Sequence, residues 1–165
     1  MEKLWAPWRM KYITSGTMDG DECFLCEKQK NPDEDRENYV LYRGKRCYAL
    51  LNTFPYNNGH LLIAPYRHIG DFLELTDEEL LEMMKISQMT IDAIEKSMGA
   101  QGFNIGFNLG RVAGAGRADH IHLHIVPRWN GDTNFMPILA ETKVLSEALE
   151  ETYEKIYMAL QEGNT

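Results

Sequence analysis

The chain has 165 residues, of which 44% are hydrophobic and 25% charged, a balance that supports one domain with a core needing no disulfide staples. Its formal charge of −8 excludes a general nucleic-acid or acidic-membrane surface, since phosphate contacts require clustered Lys and Arg; an anionic ligand can still be held where a few basic or backbone N–H groups converge. No apolar run approaches roughly 20 residues and MEKLWAPWRMKY has no signal-peptide core, so the expectation is a soluble, cytoplasmic protein without a membrane span.

Residues 1–18 include Trp5, Pro7, Trp8 and Tyr12, too aromatic for a disordered tail, and read as an arm that packs on the domain or on a partner subunit. A core over 19–140 and a C-terminal helix within 141–165 complete the single domain expected over 1–165. After CFLC (Cys23 to Cys26), the polar run KQKNPDEDREN reads as a solvated loop. YVLYR, a Gly44-Lys45 turn and CYALLN read as a β-hairpin, and HLLIAPYRH supplies a further strand after TFPYNNG. Thr76-Asp77-Glu78-Glu79 has the capping-box pattern. Leu80, Met83, Met84, Met89, Ile91, Ile94 and Met98 follow at helical spacing as far as Gly99, so a long helix is expected there. GFNIGFNLG and HIHLHIVPRW read as two more strands joined by GRVAGAGRAD. Leu149, Tyr153, Ile156 and Leu160 mark an amphipathic helix from Ser146 to about Gln161. This order favours an α+β domain, an antiparallel sheet of about five strands with two main helices on one face.

Three of the five histidines stand at every second position in DHIHLHIVPRW: His120, His122 and His124. A strand sends successive side chains to opposite faces at a rise of roughly 3.3 Å, so the three share one face while Ile121, Leu123 and Ile125 enter the core. Histidine is not a favoured strand residue, which argues against an ordinary polar strand face. One metal ion cannot take all three without a bulge, because zinc ligands lie about 2 Å from the ion. The three are therefore expected to divide their work. Just upstream, GRVAGAGR holds Gly114 and Gly116, which reach positive φ easily. It reads as a plain turn or, joined to the histidine strand and followed by Arg128, as a nest of N–H groups for an anion. Imidazole attacks phosphorus when its other ring nitrogen is held by a hydrogen bond, and His122, flanked on both sides along the strand, is the candidate nucleophile.

CFLC has the spacing of a metal knuckle. A tetrahedral zinc would need two more ligands, and histidine is the type to supply them, because Cys47 lies in a hairpin strand. Buried thiols or a redox pair are the alternatives.

The run His-Ile-His-Leu-His-Ile-Val is similar to the signature of the histidine triad (HIT) superfamily, and the similarity extends from Cys23 to Phe135 through ALLN (49–52), GHLLIAPYRH and FNLG. What the resemblance implies is a HIT-like fold and an enzyme that transfers or hydrolyses nucleotides at the α-phosphate through a nucleotidyl intermediate on His122. It implies that Asn52 meets the ribose, that Asn108 lies near the phosphates, and that His124 donates to the transferred phosphate or orients the triad. His60 lines the nucleotide pocket, supports the triad, or is a satisfied strand-end histidine. Zinc-containing members resemble this chain in their Cys-x-x-Cys pair, which implies a structural zinc held by Cys23, Cys26, His68 and His120, with no organic cofactor.

WAPWRMKYI, PRWNGDTNFMP and TKV resemble the bacterial dinucleoside-tetraphosphate phosphorylase branch. That implies cleavage of diadenosine tetraphosphate with inorganic phosphate to ATP and ADP, with Trp129 walling the pocket or serving as an interface or core residue. The alternatives are hydrolysis of dinucleoside polyphosphates or nucleoside phosphoramidates and, in another class, a non-catalytic nucleotide-binding module. Many triad hydrolases carry Gln or Ser where this chain has Gly116 and Arg117, a departure that bears on whether phosphate or water accepts the nucleotide. The resemblance also implies a homodimer or higher homo-oligomer paired through strands or the long helix.

Overall fold

Strands β1 (Val40–Arg43) and β2 (Cys47–Leu51) form the expected hairpin, in a computed structural model that describes residues 22–133 and 147–163. The aromatic arm at 1–18 and the stretch 134–146, with the FMP and TKV motifs, lie outside the described residues. The hairpin turn is closed from a distance. Glu82 accepts from the backbone N–H groups of Lys45, Arg46 and Cys47 at 2.9, 2.6 and 2.8 Å, so donors that a bare turn would leave to water are satisfied by one carboxylate.

With β3 (Leu61–Pro65), β4 (Gly102–Phe107) and β5 (Leu123–Arg128), the sheet has five antiparallel strands in the order β1-β2-β3-β5-β4. Helix α2 (Asp77–Met98) begins at the capping box, in which Thr76 and Glu79 satisfy each other's backbone N–H groups, and ends where Gly99 turns left-handed at φ 63°. Helix α3 (Leu149–Gly163) packs on α2 and on β1. Both cover one face of the sheet, burying Leu41, Ala49, Leu51, Ile63, Leu123 and Ile125 against Met83, Ile86, Ile94 and Ile156. The α+β architecture and the two main helices agree with the sequence reading.

Three local expectations differ. Residues Phe24–Gln29, running from the CFLC knuckle into the start of the run read as loop, form a short helix, α1. It is pinned to the other sheet face by Tyr48 Oη donating to the Leu25 carbonyl at 2.7 Å and by Gln29 donating to the Tyr66 carbonyl at 3.0 Å. In α2, Met84 is exposed, while Glu79 is buried because Arg67 pairs with both of its carboxylate oxygens at 2.7 Å. The last strand begins at Leu123 and not at His120. Ahead of it the Ile121 N–H donates to the Ile69 carbonyl at 2.7 Å, outside the sheet ladder.

Candidate active site and metal centre

Residue parity places the histidines. Ile121, Leu123 and Ile125 join the core beneath the helices, so His120, His122 and His124 face the opposite side, where α1 covers only the β1–β3 half of the sheet. On β5, His124 lies between Leu62 of β3 and Gly106 of β4. Because Gly106 carries no side chain, β4 leaves that flank of the ring open. Gly106 is one residue that sequence reasoning missed.

Hydrogen bonds to one-way backbone groups set the tautomers. A carbonyl only accepts, so the 2.8 Å contact between His122 Nδ1 and the His120 carbonyl puts the proton on Nδ1 and the lone pair on Nε2. Burial pushes the His122 ring below the ordinary histidine range, against the smaller opposing effect of that carbonyl, so the lone pair is kept. A backbone N–H only donates, and that of Tyr56 reaches His60 Nδ1 at 3.0 Å. His60 therefore carries its proton on Nε2 and donates to His124 Nδ1 at 3.0 Å. This leaves His124 with Nε2–H, and the Asn108 side-chain amide nitrogen, also a donor, stands 3.4 Å from it, so the two N–H groups make no bond to each other and are available to one shared acceptor.

Asn52 joins the same cluster, 3.3 Å from His60 Nδ1, while its side-chain oxygen caps the Phe54 N–H at 2.9 Å. The ring of Tyr56 lies 4.5 Å from that of His60 and nearly parallel to that of His124 at 5.9 Å. Tyr56 was not singled out from the sequence. Its only signal was an aromatic residue four positions before His60.

His120 turns away from this group. Its Nε2 donates to the Pro65 carbonyl at 2.9 Å, and its Nδ1 lies 3.3 Å from Cys23 Sγ and 3.4 Å from Cys26 Sγ. His68 Nδ1 is 3.3 Å from Cys26 Sγ. The four ligand atoms of Cys23, Cys26, His68 and His120 all lie within 4.8 Å of one another. Sulfur and nitrogen ligands on a tetrahedral zinc stand about 3.5 Å apart, so the cluster fits such an ion. Burial, followed by the neighbouring Cys23, pushes the Cys26 thiol up to about 11, a cost that a bound cation would remove. Both imidazoles direct Nδ1 inward, and their Nε2 atoms face the Pro65 carbonyl and, at 3.5 Å, the Asp119 carboxylate, the outer-shell arrangement usual for metal-bound histidine.

The structure thus brings together His122, His124, His60, Asn52 and Asn108, and separately the four metal candidates. In the loop before the triad, Gly114 is left-handed at φ 90° and Gly116 is exposed, while Arg117 is buried and meets Asp119 at 2.6 Å. Trp129 is not brought to the triad. It lies beyond the far end of β5, and its indole N–H donates to the Met98 carbonyl at the close of α2, 3.3 Å away.

Three histidines alternating with apolar residues on one face of the sheet are the mark of the histidine triad proteins. The chain belongs to that family, and the HIT domain model matches residues 34–131. Among its relatives, a protein of Mycobacterium tuberculosis named AP-4-A phosphorylase is 40% identical over 157 residues, covering 92% of this chain and 80% of its own. The asymmetrical bis(5'-nucleosyl)-tetraphosphatase of Schizosaccharomyces pombe is 36% identical over 93 residues, 56% of this chain and 50% of its own. A solved structure of a Zn-bound histidine triad family protein from Mycobacterium smegmatis superposes with a TM-score of 0.67 at 26% identity, over 87% of this chain and 96% of that one.

Proposed function

We propose that the protein is an enzyme that cleaves dinucleoside polyphosphates with inorganic phosphate, converting diadenosine tetraphosphate to ATP and ADP. The observation that carries the chemistry is the His122 tautomer fixed by the His120 carbonyl. The similarity to the mycobacterial AP-4-A phosphorylase over most of both chains supports the choice of substrate.

In the first step His122 Nε2 attacks the α-phosphorus, a P–N bond forms, the bond to the bridging oxygen breaks, and ATP leaves. His122 keeps its Nδ1 proton on the His120 carbonyl, which spreads the positive charge of the substituted ring. His124 Nε2–H and Asn108 donate to phosphoryl oxygens whose charge grows in the transition state. In the second step an oxygen of inorganic phosphate attacks the same phosphorus, the P–N bond breaks, and ADP forms. Two in-line displacements retain configuration at phosphorus.

Asn52 contacts the ribose in this reading, and the Gly114–Gly116 loop receives the acceptor phosphate through backbone N–H groups. Zinc at Cys23, Cys26, His68 and His120 is structural, since four protein ligands leave no open position for substrate. The exposed edge of β4, with Asn104, Ile105 and Gly106 at the surface, supports a homodimer in which two such edges pair. Among the described residues no helix is long and apolar enough to cross a membrane, and the free cysteines accord with a reducing cytoplasm.

A hydrolytic reading has its own support in the similarity to the yeast tetraphosphatase. Incubation with diadenosine tetraphosphate, with and without phosphate, separates the two. The phosphorylase gives ATP and ADP only when phosphate is present; AMP and ATP at equal rates in both mixtures would mark a hydrolase.

A further inference from the structure

Asp119 stands between two sites that the proposed reaction treats separately. One carboxylate oxygen lies 3.5 Å from His68 Nε2, on the side of the ring away from the cysteines. The other lies 2.6 Å from Nε of Arg117, whose side chain is 9% exposed. Arg117 ends the loop that carries Gly114 and Gly116.

The backbones on either side of this bridge are also locked together. The Ile121 N–H donates to the Ile69 carbonyl at 2.7 Å. At Gly70 a Cβ would fall 2.6 Å from the Ala118 carbonyl oxygen and 2.9 Å from Asp119 Cα, so any side chain there would force the two segments apart. The segment that follows His68 is thus packed directly on residues 118 and 119.

We propose that Asp119 is a positioning residue that couples the metal centre to the loop receiving the acceptor phosphate. It orients His68 for metal binding through one oxygen and anchors Arg117 through the other. Arg117 then serves as a strut of the loop, and metal occupancy sets the loop's position. This rests on the reading of the Cys-His cluster as a zinc site and of the triad face as a nucleotide site.

The test is zinc affinity, measured by chelator competition with and without saturating adenosine diphosphate, the product whose terminal phosphate is the former acceptor and so reaches the loop. In the wild type the nucleotide tightens zinc binding by about 5-fold or more, the usual scale of coupling between sites. Asp119→Asn, whose single amide oxygen can serve only one of the two partners, weakens zinc by about 10- to 100-fold and loses the nucleotide effect. Arg117→Met, which leaves the His68–Asp119 contact in place, keeps zinc affinity within about 3-fold of the wild type, well short of the outer-shell loss, yet also loses the nucleotide effect. Wild-type zinc affinity in Asp119→Asn, a nucleotide effect that survives in Arg117→Met, or no such effect in the wild type overturns the coupling alone. A wild-type protein that binds no zinc overturns the metal reading and the coupling with it.

Discussion

His122 and His124 are the same residue two positions apart, yet neighbouring groups protonate them on opposite nitrogens. The His120 carbonyl leaves His122 with its lone pair on Nε2, as the proposed nucleophile needs, and the chain from the Tyr56 N–H through His60 leaves His124 with an Nε2 proton to donate. Replacing His122 by Ala is expected to lower turnover by about four orders of magnitude or more, as when a covalent nucleophile is removed, with the fold kept as judged by circular dichroism. His60→Leu has a milder signature. It frees His124 to place its proton on either nitrogen, so kcat falls by about tenfold, the factor that 1.4 kcal/mol of bias represents. KM changes little, and His60→Gln, which retains an N–H in reach of His124, recovers part of the loss. A KM effect in place of a kcat effect would make His60 a binding residue only.

At the scale of elements, α2 is held at its start by Glu79, which closes the capping box and meets Arg67. The Arg67 guanidinium holds the Glu79 carboxyl down to about 2, below its ordinary value of 4.5. With the folded value below the unfolded one, the stabilisation is complete above pH 4.5 and is lost as the pH falls toward 2. Glu79→Gln is therefore expected to lose stability at neutral pH, by about 1 kcal/mol from the weakened cap, and to show a flatter decline between these limits in urea titrations. The capping box and Gly99 were legible because their signals are local. Helix α1 was not, since Phe24–Gln29 is six residues long, too short for a helical period to show, and is held by Tyr48, far along the chain. The two-residue period placed the histidine face correctly, but the strand starts later than it suggests, because His120 and Ile121 direct their polar groups to Pro65, the cysteines and Ile69.

Across the whole molecule, the Cys-His cluster ties α1, the segment after β3 and the entry to β5 at a single point. Replacing Cys23 and Cys26 by Ser is expected to abolish stoichiometric zinc and to lower the melting temperature by about 5 °C or more; unchanged zinc by elemental analysis would remove the metal assignment. Spacing and family likeness pointed to the four members of this cluster, which the fold does bring together, whereas Asp119 and Tyr56 emerge only when distant segments meet. If β4 edges pair, light scattering will give a dimer, and Ile105→Lys, which sets a charge on that edge, will shift it to monomer with the fold kept as judged by circular dichroism.

In the proposed reaction one histidine of the triad, and only one, carries the nucleotide. Enzyme mixed with diadenosine tetraphosphate in the absence of phosphate, quenched in alkaline denaturant and digested, can be searched by mass spectrometry for a nucleotidyl peptide. The adduct is expected on His122, and it should disappear when phosphate is added before the quench, with ADP formed in its place. An adduct on His124 or His60, or turnover at full rate with no adduct at any residue, would contradict the account.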